Sequence, residues 1–283
     1  HSADISESTK LPHMNPMDSG WPFMAEHFDG LARLAWMYRR GESVCHVLFL
    51  LPTTSIQSGY RVPIGDASIN EGCSHIDTHL KRLSEELLKH QIDFDFGDES
   101  LLALHAHANH NSIRMGPQSY QAVLLPPTTA IRSSTFALLQ DFATSGGHIL
   151  TAGTVPHLLD GVVNLDLETF FDEYAHRITS GIDLFDYSRV IDTLTKWDCR
   201  IVNAQMRDGA TSAGLLARQR HWEECEILQL TYTDAWEEHL DIQFTPSISG
   251  HVEVWDYRTG AMIPVSNCSA EEPFQIQDTF QPH

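Results

Sequence analysis

Apolar and polar residues follow two different rhythms along this chain. In the first part, helix-spaced apolar positions alternate with short, continuous apolar runs. Phe28, Leu31, Leu34, Ala35 and Tyr38 recur at helical spacing between Trp21 and Arg40, and Gly41 supplies a stop. Val44 to Leu51 is an almost unbroken apolar run of strand length, as in strands covered on both faces, and Pro52-Thr53-Thr54-Ser55 ends it. The unit then recurs. Ile76, Leu80, Leu83, Leu87 and Leu88 mark a helix from Ser74 to His90, and Ile92 to Phe96 reads as a second strand. After an irregular His-rich insertion, Ala122 to Leu125 is a third strand, closed by Pro126-Pro127-Thr128-Thr129. A helix from Ser133 to Thr144 stops at Gly146-Gly147, and His148 to Ala152 is a fourth strand. Strands alternating with helices in this way imply right-handed crossovers and a doubly wound, mainly parallel α/β sheet.

Residues 154–200 read as helical and loop-rich, and beyond Ile201 the period changes to two. Gly214 to Arg220, Cys225 to Tyr232 and His239 to Phe244 alternate in strand fashion, which points to an antiparallel region forming part of a β-sandwich. His251 to Val265 reads as a hairpin that turns over Asp256 to Gly260. Such a hairpin needs a sheet to bury its apolar face. The polar tail from Ser266 offers no further strand, so the closing strand is expected beyond His283. With the abrupt opening at His1, this suggests a piece of a longer protein. The expected organisation is a linker over 1–20, carrying Pro12 and Pro16 and entering from a missing upstream domain. An α/β domain over 21–200 and a truncated β-sandwich region over 201–283 follow.

Composition narrows the partners. The 283 residues carry 18 Lys and Arg against 38 Asp and Glu, a formal net charge of −20, which argues against nucleic acid or an anionic membrane as a partner. A neutral carbohydrate is compatible with it. The five cysteines are scattered without a C-x-x-C pair, which favours free thiols and a cytoplasmic setting. No apolar run reaches the length of a membrane span.

The order of elements resembles flavodoxin-like or class I amidotransferase-like domains. Four segments together resemble the downstream, non-barrel region of large bacterial glycoside hydrolases of the α-L-rhamnosidase type. They are Leu31 to Ser55 (LARLAWMYRRGESVCHVLFLLPTTS), Tyr120 to Pro127 (YQAVLLPP), Gly146 to Leu150 (GGHIL) and Val252 to Gly260 (VEVWDYRTG). The resemblance implies a helix leaving a catalytic barrel, an amidotransferase-like domain and then β-sandwich strands. It also implies that the acid and base carboxylates lie on the barrel, so no catalytic residue is assigned within this chain and no cofactor is expected. The missing barrel would be the domain's partner. Two other readings stay open: a stand-alone sugar-binding or regulatory module with an inactive amidotransferase-like domain, and a metal-dependent enzyme using the His-rich insertion.

Candidate chemistry lies mainly in the loops after the strands, where open α/β sheets bind ligands. Those loops hold Thr53, Thr54, Ser55, Asp95, Asp98, Glu99, Thr128 and Thr154, whose hydroxyls and carboxylates suit sugar hydroxyls. The same residue types also serve as ordinary caps and turns. No Gly-x-Cys-x-Gly or Gly-x-Ser-x-Gly nucleophile elbow follows a strand. Asp95-Phe96-Gly97 imitates a kinase metal motif, but the accompanying glycine-rich loop and catalytic loop are absent. His105, His107 and His110 form the candidate metal cluster, although their spacing suits no single element. His75 and His79 stand one helical turn apart, the spacing of zinc ligands, but Ile76 occupies the place of a metalloprotease general base.

Overall fold

The computed structural model describes residues 21–61, 71–183, 185–206, 208–234, 238–270 and 272–280. The linker expected over 1–20 lies outside them. After one turn of 3-10 helix at Trp21–Phe23 come helix α1 (Met24–Tyr38) and strands β1 (Glu42–Val44) and β2 (Val47–Leu50). The apolar run read as one strand is therefore two, and they join different sheets. Ser43 of β1 lies opposite Arg220, whereas Val47 of β2 lies between Phe94 and Ala122. Helices α2 (Thr53–Gly59) and α3 (Glu71–Lys89), strand β3 (Phe94–Gly97) and helix α4 (Glu99–His105) follow. The His-rich stretch is not irregular. It forms an antiparallel meander of β4 (Ala106–Asn109), β5 (Ser112–Met115) and β6 (Gln118–Tyr120).

Strand β7 (Ala122–Leu125), the short β8 (Ala130–Ile131), helix α5 (Ser133–Thr144) and strand β9 (His148–Ala152) continue the alternation. Next come the small strands β10 (Leu158–Leu159) and β11 (Val162–Val163), helix α6 (Leu165–Glu173), strand β12 (Ile178–Ile182) and helix α7 (Tyr187–Lys196). The main sheet runs β12-β9-β7-β2-β3 with every pair parallel, so its strands taken in chain order lie as 2-1-3-4-5. β12 belongs to the stretch expected to be helix and loop. Only Ile178 and Ile182 at its ends are apolar, and Thr179-Ser180-Gly181 between them hide the strand signal.

The period-two rule sorts the two faces of this sheet. Leu48, Leu50, Val123, Leu125 and Ile149 point to a core with Phe136, Leu139 and Phe142 of α5 and Phe170 and Phe171 of α6. Val47, Phe49, Leu124 and Leu150 point the other way, to Leu83 and Leu87 of α3 and Val190, Ile191 and Leu194 of α7. Burying each such side chain contributes about 1.5–3 kcal/mol, which is why these strands carry no polar alternation. The stop of α5 has a packing reason too. A Cβ on Gly147 would lie 2.0 Å from the Phe142 ring, so only glycine lets the chain turn there.

Strands β13 (Asn203–Met206), β14 (Leu215–Trp222), β15 (Cys225–Tyr232), β16 (Glu238–Phe244), β17 (Gly250–Trp255), β18 (Met262–Cys268) and β19 (Phe274–Phe280) complete the described chain. Two three-stranded antiparallel sheets, β1-β14-β15 and β13-β16-β19, share a core of Ala204, Leu215, Ala217, Tyr232, Leu240 and Ile242. The tail read as polar and strandless is thus corrected. Residues 274–280 pair in unbroken register with 238–244, Phe274 opposite Phe244 and Ile276 opposite Ile242.

The hairpin forms as the sequence indicates, with one irregularity between Val252 and Glu253. Its turn is chemically specified. The Asp256 carboxylate accepts the Arg258 N–H at 2.9 Å and the Thr259 hydroxyl at 2.6 Å, and Gly260 adopts φ +77°. It does not join a larger sheet. β17 and β18 pair only with each other among the described residues, and the hairpin leans on α1, where Gly30 faces the Tyr257 ring. Helix α1 also meets the β region through Trp36, whose ring stands edge-on to Trp222 at 5.5 Å.

Candidate functional site

At the carboxyl ends of β2, β3 and β7 three of the candidate residues, Ser55, Glu99 and Thr128, lie buried and tie the loops together. Glu99 opens α4, is 1% exposed, and accepts three hydrogen bonds. Its Oε1 accepts the Thr54 N–H at 3.3 Å; its Oε2 accepts the Arg132 N–H and the Thr135 hydroxyl, both at 2.8 Å. These donors come from the start of α2 and from the entry to α5, so the carboxylate holds together loops that are distant in sequence. Ser55 works in parallel. Its buried hydroxyl donates to the Ala130 carbonyl at 2.9 Å and accepts the Thr129 and Ala130 N–H groups at 3.0 Å. Thr128 is fully buried and donates to the Pro126 carbonyl at 2.6 Å, while its N–H bonds the Thr154 carbonyl at 3.1 Å.

The remaining strand-end residues divide. Asp98 is the N-cap of α4 and accepts the Ser100 and Leu101 N–H groups at 2.9 and 3.2 Å. Thr53 opens α2 with its N–H on the Leu51 carbonyl at 2.8 Å. The Thr54 hydroxyl is buried and has no partner among the described residues, and the Thr154 side chain is exposed. Asp95 is separate from the group. It accepts the Tyr120 hydroxyl at 3.0 Å, and burial followed by the Asp95 charge pushes that phenol well above its ordinary range. Ser55, Glu99 and Thr128 therefore act as a buried seam between loops, and a ligand would meet them only after those loops part.

The histidines do not converge. His105 ends α4, His107 lies on β4, and His110 sits in the β4–β5 turn with φ +50°; all three are exposed. Among the described residues, no three His, Cys, Asp or Glu side chains stand close enough to share a metal ion. His75 and His79 do stack on α3, with ring centroids 6.5 Å apart. They line a small cavity of about 270 Å³ with Arg82 and Phe185. Burial, then the neighbouring His75 and Arg82, lower the pKa of His79. An arginine in this cavity disfavours a cation there.

No known protein-family pattern matches this sequence, and no curated protein matches it either. Solved structures do match its fold. A rhamnosidase from Novosphingobium sp. PP1Y superposes over 96% of this chain with TM-score 0.62 and 13% identity. A beta-galactosidase from Bacillus circulans sp. alkalophilus covers 95% with TM-score 0.59 and 11% identity. A GH42 beta-galactosidase from G. stearothermophilus covers 96% with TM-score 0.58 and 12% identity. The chain spans 25% of the rhamnosidase and 44% of each galactosidase. The fold is thus one that occurs within glycoside hydrolases.

Glu99 and Thr54 stand out in the sequence by residue type, but the bonds that define the role of Glu99 do not. Thr135 stands three residues inside a helix, and the Thr54 and Arg132 contributions are backbone N–H groups, which leave no trace in residue type. Among the described residues no helix is long and apolar enough to cross a membrane.

Proposed function

We propose that this chain is the non-barrel part of a carbohydrate-degrading glycoside hydrolase of the α-L-rhamnosidase type. Its role would be structural, docking or substrate-flanking. One observation carries the reading: the α/β layer and the β region superpose together, over 96% of the chain, on part of a single rhamnosidase. Within this proposal, 21–200 is an amidotransferase-like domain and 201–283 a β-sandwich region. The strand order 2-1-3-4-5 supports the first, since flavodoxin-like sheets have that order. Two antiparallel sheets around a shared core support the second. The five free thiols fit a cytoplasmic setting.

Under this reading the chain alone does not hydrolyse glycosides, because the acid and base carboxylates lie on the barrel; the buried carboxylate Glu99 is occupied by three structural donors. Purified chain releases no nitrophenol from 4-nitrophenyl α-L-rhamnoside or β-galactoside. Release that Glu99→Gln or Asp95→Asn abolishes would overturn the proposal. A stand-alone sugar-binding module with an inactive amidotransferase-like domain is the second reading, favoured by the same strand order. A parent reading frame that joins this chain to a barrel decides for the first.

A further inference from the structure

Helix α1 and the β17–β18 hairpin enclose a cleft of about 630 Å³, within the range that holds a small ligand. Its walls are largely aromatic and apolar: Trp36 from the helix, with Trp255, Tyr257 and Met262 from the hairpin. Trp36 and Trp255 remain 44% and 43% exposed, and Met262 62%. Both indoles are nevertheless held in place. Trp36 abuts Trp222 and lies under the Arg40 guanidinium at 4.6 Å, and the Trp255 Nε1 donates to the Glu253 carboxylate at 3.1 Å.

Polar groups stand beside this apolar wall. Arg33 reaches across the cleft and donates through Nη1 to the Tyr257 and Arg258 carbonyls at 3.0 and 2.5 Å. Gly260 makes room for it, since a Cβ there would lie 3.0 Å from the Arg33 Nε. Asp29, one turn before Arg33, lines the same cleft, and its carboxylate has no hydrogen-bond partner among the described residues.

We propose that this cleft binds one neutral sugar ring, its C–H face against Trp255 and its hydroxyls on Asp29 and Arg33. The inference rests on the carbohydrate reading above. The chemistry of the lining selects this ligand class over others. A purely aliphatic ligand would strip water from Asp29 and Arg33 without replacing their hydrogen bonds. An anion would meet Asp29, Asp256 and a chain of net charge −20, and a cation would meet Arg33. A polyol with one apolar face satisfies both the ring and the charged pair.

The test is calorimetry of the whole chain with rhamnose, galactose and their methyl glycosides. Saturable binding is expected, at least tenfold weaker in Trp255→Ala and in Asp29→Asn. Asp29→Asn, a change on an exposed helix position, keeps the test valid should Trp255→Ala loosen the hairpin; unfolding midpoints report that directly. Sugar binding that neither variant weakens would overturn the cleft while leaving the carbohydrate reading standing. No saturable binding with any of these sugars would also overturn the cleft, while the glycosidase-fragment reading stays with the reading-frame and hydrolysis tests. An apolar dye seated in the cleft that sugars fail to displace would mark it as a protein docking surface and overturn the proposal.

Discussion

Gln91 donates through its Nε2 to the Leu215 carbonyl at 2.8 Å, although 124 positions separate the two residues. The same amide nitrogen reaches the Ser212 carbonyl at 2.9 Å, and the Ile201 N–H returns to the Gln91 carbonyl at 3.1 Å. Arg200 donates to the Gln91 Oε1 at 3.2 Å. One side chain, 1% exposed, thereby joins the end of α3 to the β region. Gln91→Ala removes it and leaves two buried carbonyls short of a donor. The expected loss is about 1–3 kcal/mol for each group left unsatisfied, read as a lower urea midpoint. An unchanged midpoint would show that water replaces the amide.

Glu99→Gln keeps the size of the side chain and replaces one acceptor oxygen by a donor that faces N–H or O–H groups. The start of α2 and the entry to α5 then share one acceptor oxygen in place of two. A destabilisation of about 2 kcal/mol is expected, on the order of one lost charged hydrogen bond. Amide exchange should rise at Thr54 and Arg132 before it rises in β2 or β7. Uniform acceleration across the sheet would contradict a local seam.

Asp93, 6% exposed, sits beside Arg218 with 3.4 Å between charged atoms. Burial raises its pKa from 3.8, and Arg218 opposes part of that rise. The folded protein therefore holds this proton more tightly than the unfolded chain. Through the window from 3.8 up to the raised value, stability contributed by this group falls as pH rises. Asp93→Asn should gain on the parent protein across that window, by no more than about 1.4 kcal/mol per pH unit, the limit for one proton. Denaturant midpoints of both proteins from pH 4 to 7 check the sign; parallel curves would refute it.

The thiols differ in reach. Burial pushes the Cys199 thiol up to about 12 and raises Cys45 further, while Cys225 is exposed on β15. Because the thiolate is the reactive form, iodoacetamide should label Cys225 in the native protein and spare Cys45 and Cys199 until denaturant is added. Peptide mass spectrometry reads the order. Early labelling of Cys199 would mean that α7 opens readily.

How much of this was legible depended on where the side chains decide the structure. Val47 to Leu50 and Ala122 to Leu125 are buried on both faces, so continuous apolar runs announced them. Gly146-Gly147 marked the end of α5 because the steric gap beside the Phe142 ring is residue-specific. Phe274 to Phe280 does alternate, with Phe274, Ile276 and Phe280 at every second position save Asp278. Gln275, Gln277, Asp278 and Thr279 gave the tail a polar look, and its partner β16 shows only in the backbone pairing. The division of the run at Cys45-His46 was invisible for a related reason: only the distant partner Arg220 shows that Ser43 belongs elsewhere. The loop residues were picked by type, and a hydroxyl that closes a loop and one that awaits a ligand look alike in sequence. Their partners, such as the Ala130 N–H on Ser55, separate the two roles.

The pairing of β1 with β14 also sets an order of events. β1 is made before the parallel sheet, while β14 is made after it, and the Arg220 guanidinium reaches back to the Arg40 and Gly41 carbonyls at 2.8 and 2.7 Å. During synthesis β1 must therefore wait, with its ladder groups unmatched, until the whole α/β layer has been extruded. Once β14 arrives, the layer becomes a closed detour pinned at its base, and a single backbone cut within it would leave both pieces fastened together.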